Sequence, residues 1–161
     1  MIVRRFAHLF WTVFLLFALA SRGPAADAST RSPLQWTLLD QNQTHWRAVI
    51  FQQGGWQFRL TALSPEVHLD HQHPLELQDP AGGQWRLTNR SAEMVSEASV
   101  ALPANSAQFS LESLQPSPSD HLPLLLSIHH LEEGPEHISQ ILLGPEPVQR
   151  LHQISLEPLE H

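Results

Sequence analysis

The run Trp56-Gln57-Phe58-Arg59-Leu60-Thr61 sets large apolar side chains at every second position with polar ones between them. A period of two is the pattern of an extended strand with one buried face, and it is incompatible with a helix. Turn chemistry brackets this run, with Gln53-Gly54-Gly55 before it and Pro65 after it, and the same punctuation recurs along the chain. Leu34 to Asp40 and Thr44 to Gln52 read as two strands joined by the polar turn Gln41-Asn42-Gln43. Leu75-Glu76-Leu77 and Trp85-Arg86-Leu87-Thr88 flank Asp79-Pro80-Ala81-Gly82-Gly83, a hairpin signal.

Order weakens from Asn89 to Ser106, where Ala92 to Ala98 reads as either a short helix or a loop. It returns with the alternation of Phe109 and Leu111. Beyond the proline-rich linker Gln115 to Asp120, Leu122 to Ile128 is an apolar run whose length predicts a strand buried largely on both faces. Glu132-Glu133-Gly134-Pro135 then turns the chain into a partner strand over His137 to Leu143. Pro145, Glu146 and Pro147 suit the first turn of a helix, where missing amide donors are harmless and acidic charge complements the dipole. The expected fold is mainly β: about seven or eight short strands in an antiparallel sandwich or partly closed barrel, with one small C-terminal helix. Trp36, Trp46, Trp56 and Trp85 all fall in strand-like runs, and most are expected in the core.

The N-terminus has a different grammar. Arg4 and Arg5 precede an apolar stretch from Phe6 to Ala20, followed by small residues that offer cleavage after Ala28 or after Ala20. This is the layout of a secretory signal peptide over residues 1–28. The apolar stretch falls short of the roughly 20 residues that span a bilayer. Residues 29–33 read as a flexible lead-in and 34–161 as a single β-rich domain; about 130 residues after cleavage suffice for one hydrophobic core. No stable membrane anchor is expected after cleavage, and the leader is expected to follow the general secretory route.

Charge and missing residue types exclude several functions. The chain carries 16 acidic against 9 basic residues, a formal charge of −7, and loss of Arg4, Arg5, Arg22 and Asp27 with the leader makes it more acidic. Such a chain repels phosphate backbones and anionic bilayers, so no nucleic-acid partner is expected. With no cysteine there is no disulfide, thiolate ligand, cysteine nucleophile or lipid-modified N-terminal cysteine.

The phrases Trp46-Arg47-Ala48-Val49-Ile50-Phe51, Phe58-Arg59-Leu60, Leu69-Asp70-His71 with Pro74-Leu75, Phe109-Ser110-Leu111 with Leu114, Leu122-Pro123-Leu124 and Pro147-Val148 follow one another through the chain. In that order the chain resembles an uncharacterised family of small exported cyanobacterial proteins, a domain of unknown function. The resemblance implies a location in the periplasm or thylakoid lumen and no particular activity. Family members tend to carry arginine where this chain has His73, which weakens the idea that His73 belongs to a shared metal site.

The sharpest chemical feature is Val67-His68-Leu69-Asp70-His71-Gln72-His73-Pro74. Imidazole and carboxylate suit zinc, copper or nickel, so His68, Asp70, His71 and His73 are the candidate ligands for a divalent transition metal. In an extended strand His71 and His73 share one face while His68 and Asp70 point to the other, so the four converge only if the segment bends. A solvated, histidine-rich loop is the competing reading. Ser119-Asp120-His121 contains the residue types of a hydrolase triad but sits in a proline-rich linker with no nucleophile elbow. His129 and His130, adjacent at a strand end, are expected to face opposite ways, one packed and one wet. No phosphate-cradling or dinucleotide motif is present, so no catalytic residue and no organic cofactor is assigned. Together these readings point to a nonenzymatic exported domain that binds a protein or small-molecule partner, with metal binding at His68 to His73 as the alternative. N-terminal sequencing of protein isolated from the exported fraction is expected to begin at Ser29 or Ser21; an intact Met1 terminus would contradict the leader.

Overall fold

The computed structural model describes residues 33–95, 101–132 and 137–157. The expected leader and all of the lead-in except Pro33 lie outside these residues, as do Ser96 to Ala98 of the ambiguous segment and Glu133 to Pro135 of the last turn. Eight strands occur in the order β1 (Leu34–Leu39), β2 (His45–Gln52), β3 (Trp56–Ala62), β4 (Leu75–Gln78), β5 (Gln84–Leu87), β6 (Ser106–Ser110), β7 (Leu124–His129) and β8 (Ile138–Leu143). One helix, α1 (Pro145–Leu156), follows.

The strands form two antiparallel four-stranded sheets, β1-β2-β3-β6 and β5-β4-β7-β8. Alternation places Trp46, Ala48 and Ile50 of β2, and Phe58 and Leu60 of β3, against Leu75 and Leu77 of β4 and Leu124 and Leu126 of β7 in one shared core. The helix closes it with Val148, Leu151 and Ile154, spaced at one helical face. Pro145 sits at the helix start as expected, where its fixed φ helps and its missing donor costs nothing. The β4–β5 hairpin requires glycine at 83 for a packing reason. A Cβ there would lie 2.6 Å from the Trp85 ring and 2.8 Å from the Asp79 carboxylate, which already accepts the Gly83 N–H at 2.7 Å.

Three local expectations are revised. Leu124 to His129 is buried on one face and half-buried on the other, because the outer face of the second sheet has no further layer among the described residues. Of the four tryptophans, Trp46 and Trp85 are buried, whereas Trp36 and Trp56 pack half-exposed against the core. The Ala92 to Ala98 ambiguity resolves, as far as it is described, into a short 3-10 turn over Ser91–Met94.

Single bridges join the sheets at both edges: Asp40 pairs with Ile141 beside β1 and β8, and Asn89 pairs with Phe109 beside β5 and β6. The Asp40 corner is the more heavily bonded. Its side chain is 4% exposed. One carboxylate oxygen accepts the N–H groups of Asn42 (2.8 Å) and Thr44 (2.9 Å), and the other accepts the Trp46 indole (3.2 Å) and the Ser139 hydroxyl (2.9 Å). Burial alone would raise its pKa, but the bonds from Thr44, Trp46, Ser139 and Asn42 outweigh it and hold the carboxyl below its ordinary value. Next to it, the Gln41 amide caps the open edge of β8, accepting the Gln140 N–H at 2.5 Å and donating to Ile138 O at 2.9 Å.

Asp40→Ala strands several buried donors at once and is expected to cost about 3 kcal/mol in urea unfolding. Because the folded pKa is depressed, the Asp40 contribution is full above the unfolded value near 4 and fades as pH falls through the folded one. The difference between native and Asp40→Ala stability is therefore expected to shrink only in strong acid.

Candidate functional site

The histidine-bearing segment is the crossover from the first sheet to the second, between β3 and β4. It is not an independent loop, because its backbone laces three elements together. Leu69 is buried and bridges His130, its N–H donates to Ala104 O at 2.8 Å, Asp70 N–H donates to His129 O at 3.0 Å, and Leu131 N–H donates to His68 O at 2.8 Å.

After Leu69 the chain bends, which an alternating-strand reading does not anticipate. The cause is Asp70. One of its carboxylate oxygens accepts the N–H of Gln72 at 2.7 Å and, more loosely, of His73 at 3.4 Å, the turn that Asp makes two residues ahead of itself. The bend brings His73 back so that its Nδ1 lies 2.5 Å from the other Asp70 oxygen. Burial pushes the Asp70 carboxyl up, while the Gln72 N–H, the His73 ring and the His73 N–H outweigh that and hold it below its ordinary value. The His73 side chain is 56% exposed and its ring stacks on His129, centroids 4.9 Å apart and planes 20° from parallel.

Of the four residues singled out as metal ligands, the fold thus brings two together. His71 turns the other way, its Nε2 2.9 Å from Ser106 O, and His68 is exposed. Among the described residues no group of three or more His, Cys, Asp or Glu side chains is placed to hold one metal ion. The Asp70–His73 pair has the geometry that orients an imidazole, but no hydroxyl hydrogen-bonds to His73 among the described residues.

Beside this segment lies an open groove of about 470 Å³, walled by His68, Asp70, His71, Leu102, Ala104 and Leu131. Leu131 is 66% exposed, the largest exposure among the large apolar side chains of the described residues. Sequence reasoning found the polar wall and missed the apolar one, because Leu102 and Leu131 sit far along the chain in segments without periodicity.

His130 and His129 do face opposite ways. His129 stacks on His73, whereas His130 Nε2 donates to Ser139 Oγ at 3.0 Å, and that hydroxyl donates in turn to Asp40. Both are half-buried, so neither is fully wet. Burial, reinforced by His137 and His129, lowers the His130 pKa against the opposing pull of Asp40 and Glu132. The Ser119-Asp120-His121 run does not form a relay. Ser119 Oγ and Asp120 Oδ1 both make their 2.9 Å contact with the same ring nitrogen, Nδ1 of His121, on an exposed stretch.

Residues 25–141 match the model of a family described as "Protein of unknown function (DUF3122)", and the chain belongs to that family. The match runs from the last residues of the expected leader to Ile141 within β8. It agrees with the resemblance to an uncharacterised family. No curated protein and no solved structure matches the chain.

The His130 pKa sets a sign for pH dependence. Its folded value is depressed, so below about 6.5 the unfolded chain takes up a proton that the folded one refuses, and stability falls with pH. His130→Gln is expected to flatten the stability profile between neutral and mildly acidic pH relative to the native protein, read by chemical unfolding at each pH.

Proposed function

We propose that this chain is an exported, nonenzymatic binding domain of the periplasm or thylakoid lumen that holds a protein partner in the groove beside the β3–β4 crossover. The observation that carries the reading is the pairing of an exposed apolar residue, Leu131, with polar side chains held on a rigid frame. Recognition surfaces combine an apolar anchor with a few positioned polar groups, and here the anchor already stands out of the surface. The crossover that presents the polar groups is bonded to both sheets, so its shape costs little to hold on binding. The three-part pattern of the N-terminal residues is what supports export.

A second reading has one observation in its favour. Asp70 holds Nδ1 of His73, the arrangement that orients a ligating imidazole, and His73 is half in solvent. In that reading His73, with His68, Asp70 and His71 nearby, handles a divalent transition metal. Stoichiometric zinc, copper or nickel in protein purified without an affinity tag would support it, and its absence would end it.

The groove is tested by placing a photo-crosslinking residue at 131 in the host and, as a control, at the equally exposed Leu156. A defined adduct at 131 that is absent at 156, and that is lost when His71→Ala is added, is the expected result. Equal adducts at both positions, or none at either, would overturn the assignment.

A further inference from the structure

The outer face of the first sheet carries chemistry separate from the groove. Register sets Thr37, Arg47, Thr61 and Ser106 in one row across its four strands, and Gln35, Val49, Arg59 and Gln108 in the next. These positions alternate with the core residues Trp46, Ala48, Phe58 and Leu60, so they point away from the sandwich. None of the four strands contains an aspartate or glutamate, in a chain with 16 acidic residues against 9 basic. Among the residues of these four strands, the outward-facing formal charges are therefore Arg47 and Arg59.

Those arginines are not neutralised. Arg86 and Arg90 pair with Glu76 and Glu93, whereas neither Arg47 nor Arg59 forms an ion pair among the described residues. The Arg59 guanidinium lies 4.8 Å from the centroid of the Phe51 ring and directs both Nε (3.2 Å) and Nη2 (2.5 Å) at one neutral acceptor, Gln108 Oε1. Half-buried and without a counter-charge, it has its pKa lowered by desolvation. The amides beside it are under-satisfied as well. Gln108 is 0% exposed and its Nε2 donates to no atom, and Gln57 Oε1, also buried, accepts from none. Leaving a buried polar group unpaired is costly, and native proteins keep few of them without a reason.

We infer that this face is a second binding surface, which receives a short acidic segment of a partner protein, with a carboxylate seated on Arg59 and Arg47 beside Phe51. The planar carboxylate fits the guanidinium and supplies the counter-charge that Arg59 lacks, the guanidinium's only polar contact among the described residues being the neutral Gln108 Oε1. Charge complementarity selects a short segment over an extended polyanion. At physiological salt the Debye length is about 8 Å, so a segment confined to this face meets the arginines, whereas a duplex or a bilayer also meets the acidic remainder of the molecule.

The test uses protein isolated from its host and a fluorescein-labelled Glu-Ser repeat peptide, with the Gln-Ser repeat as control, read by anisotropy at low and physiological salt. The acidic peptide is expected to bind and the Gln control is not, with affinity falling as salt rises. Arg47→Glu, at an exposed position that leaves folding intact, is expected to weaken binding about tenfold or more. Arg59→Gln is expected to do the same wherever its thermal melt matches the native one. Leu131→Asp, in the groove, is expected to leave this binding unchanged. Failure of the acidic peptide to bind, indifference to Arg47→Glu, or tighter binding to duplex DNA or to phosphatidylglycerol vesicles than to the peptide would each overturn the inference.

Discussion

At the corner where β1 approaches β8, one buried carboxylate holds the edges of the two sheets in register. Asp40 accepts from the turn that follows it, from Trp46 at the centre of the core and from Ser139 on the opposite sheet. A buried charge is tolerable only when its lone pairs are filled, and here four donors fill them. Short strands in small sheets have long unpaired edges relative to their area. The Asp40 corner, with the Gln41 side chain standing in for a neighbouring strand, covers one of those edges. The segment Thr88 to Arg90 covers the other, through bonds to Ser110 N–H and from Arg90 N–H to Gln108 O.

From that corner the bonding runs directly to the groove. Ser139, while donating to Asp40, receives the His130 ring, and the backbone of His130 is bridged to Leu69 at the heart of the crossover. The placement of the groove wall therefore follows from how the sheets are joined. Local composition does not set it. Burial of the His130 ring lowers its pKa, against the opposing pull of Asp40 at the end of that chain of bonds.

Much of this fold is legible in the residues, and the limits have identifiable causes. Alternation in β2 and β3, turn chemistry at Asp79 to Gly83 and prolines at the start of α1 are local signals, and local structure obeyed them. The crossover bend was not legible, because a single Asp70 side chain bonding two residues ahead overrides an extended preference without altering the pattern. Nor was the complete burial of β6: Ser106, Gln108 and Ser110 are polar, yet Ser91 and Met94 of the 3-10 turn lie against that strand, the Ser91 hydroxyl accepting the Gln108 N–H at 3.0 Å. The candidate ligands His68, Asp70, His71 and His73 could be named from spacing. Their divergence depended on partners some 35 residues downstream, such as Ser106 for His71.

Two surfaces with different chemistry emerge on one rigid frame: a groove pairing Leu131 with imidazoles and a carboxylate, and a sheet face with uncompensated arginines. The central claim is that the crossover groove is the place where a partner sits. Backbone hydrogen exchange, compared between the purified protein and the same protein in the exported fraction of its host, tests it most directly. Slowed exchange confined to residues 68–73 and 129–131 is the expected result. Unchanged exchange there, with slowing at other segments or at none, would contradict it.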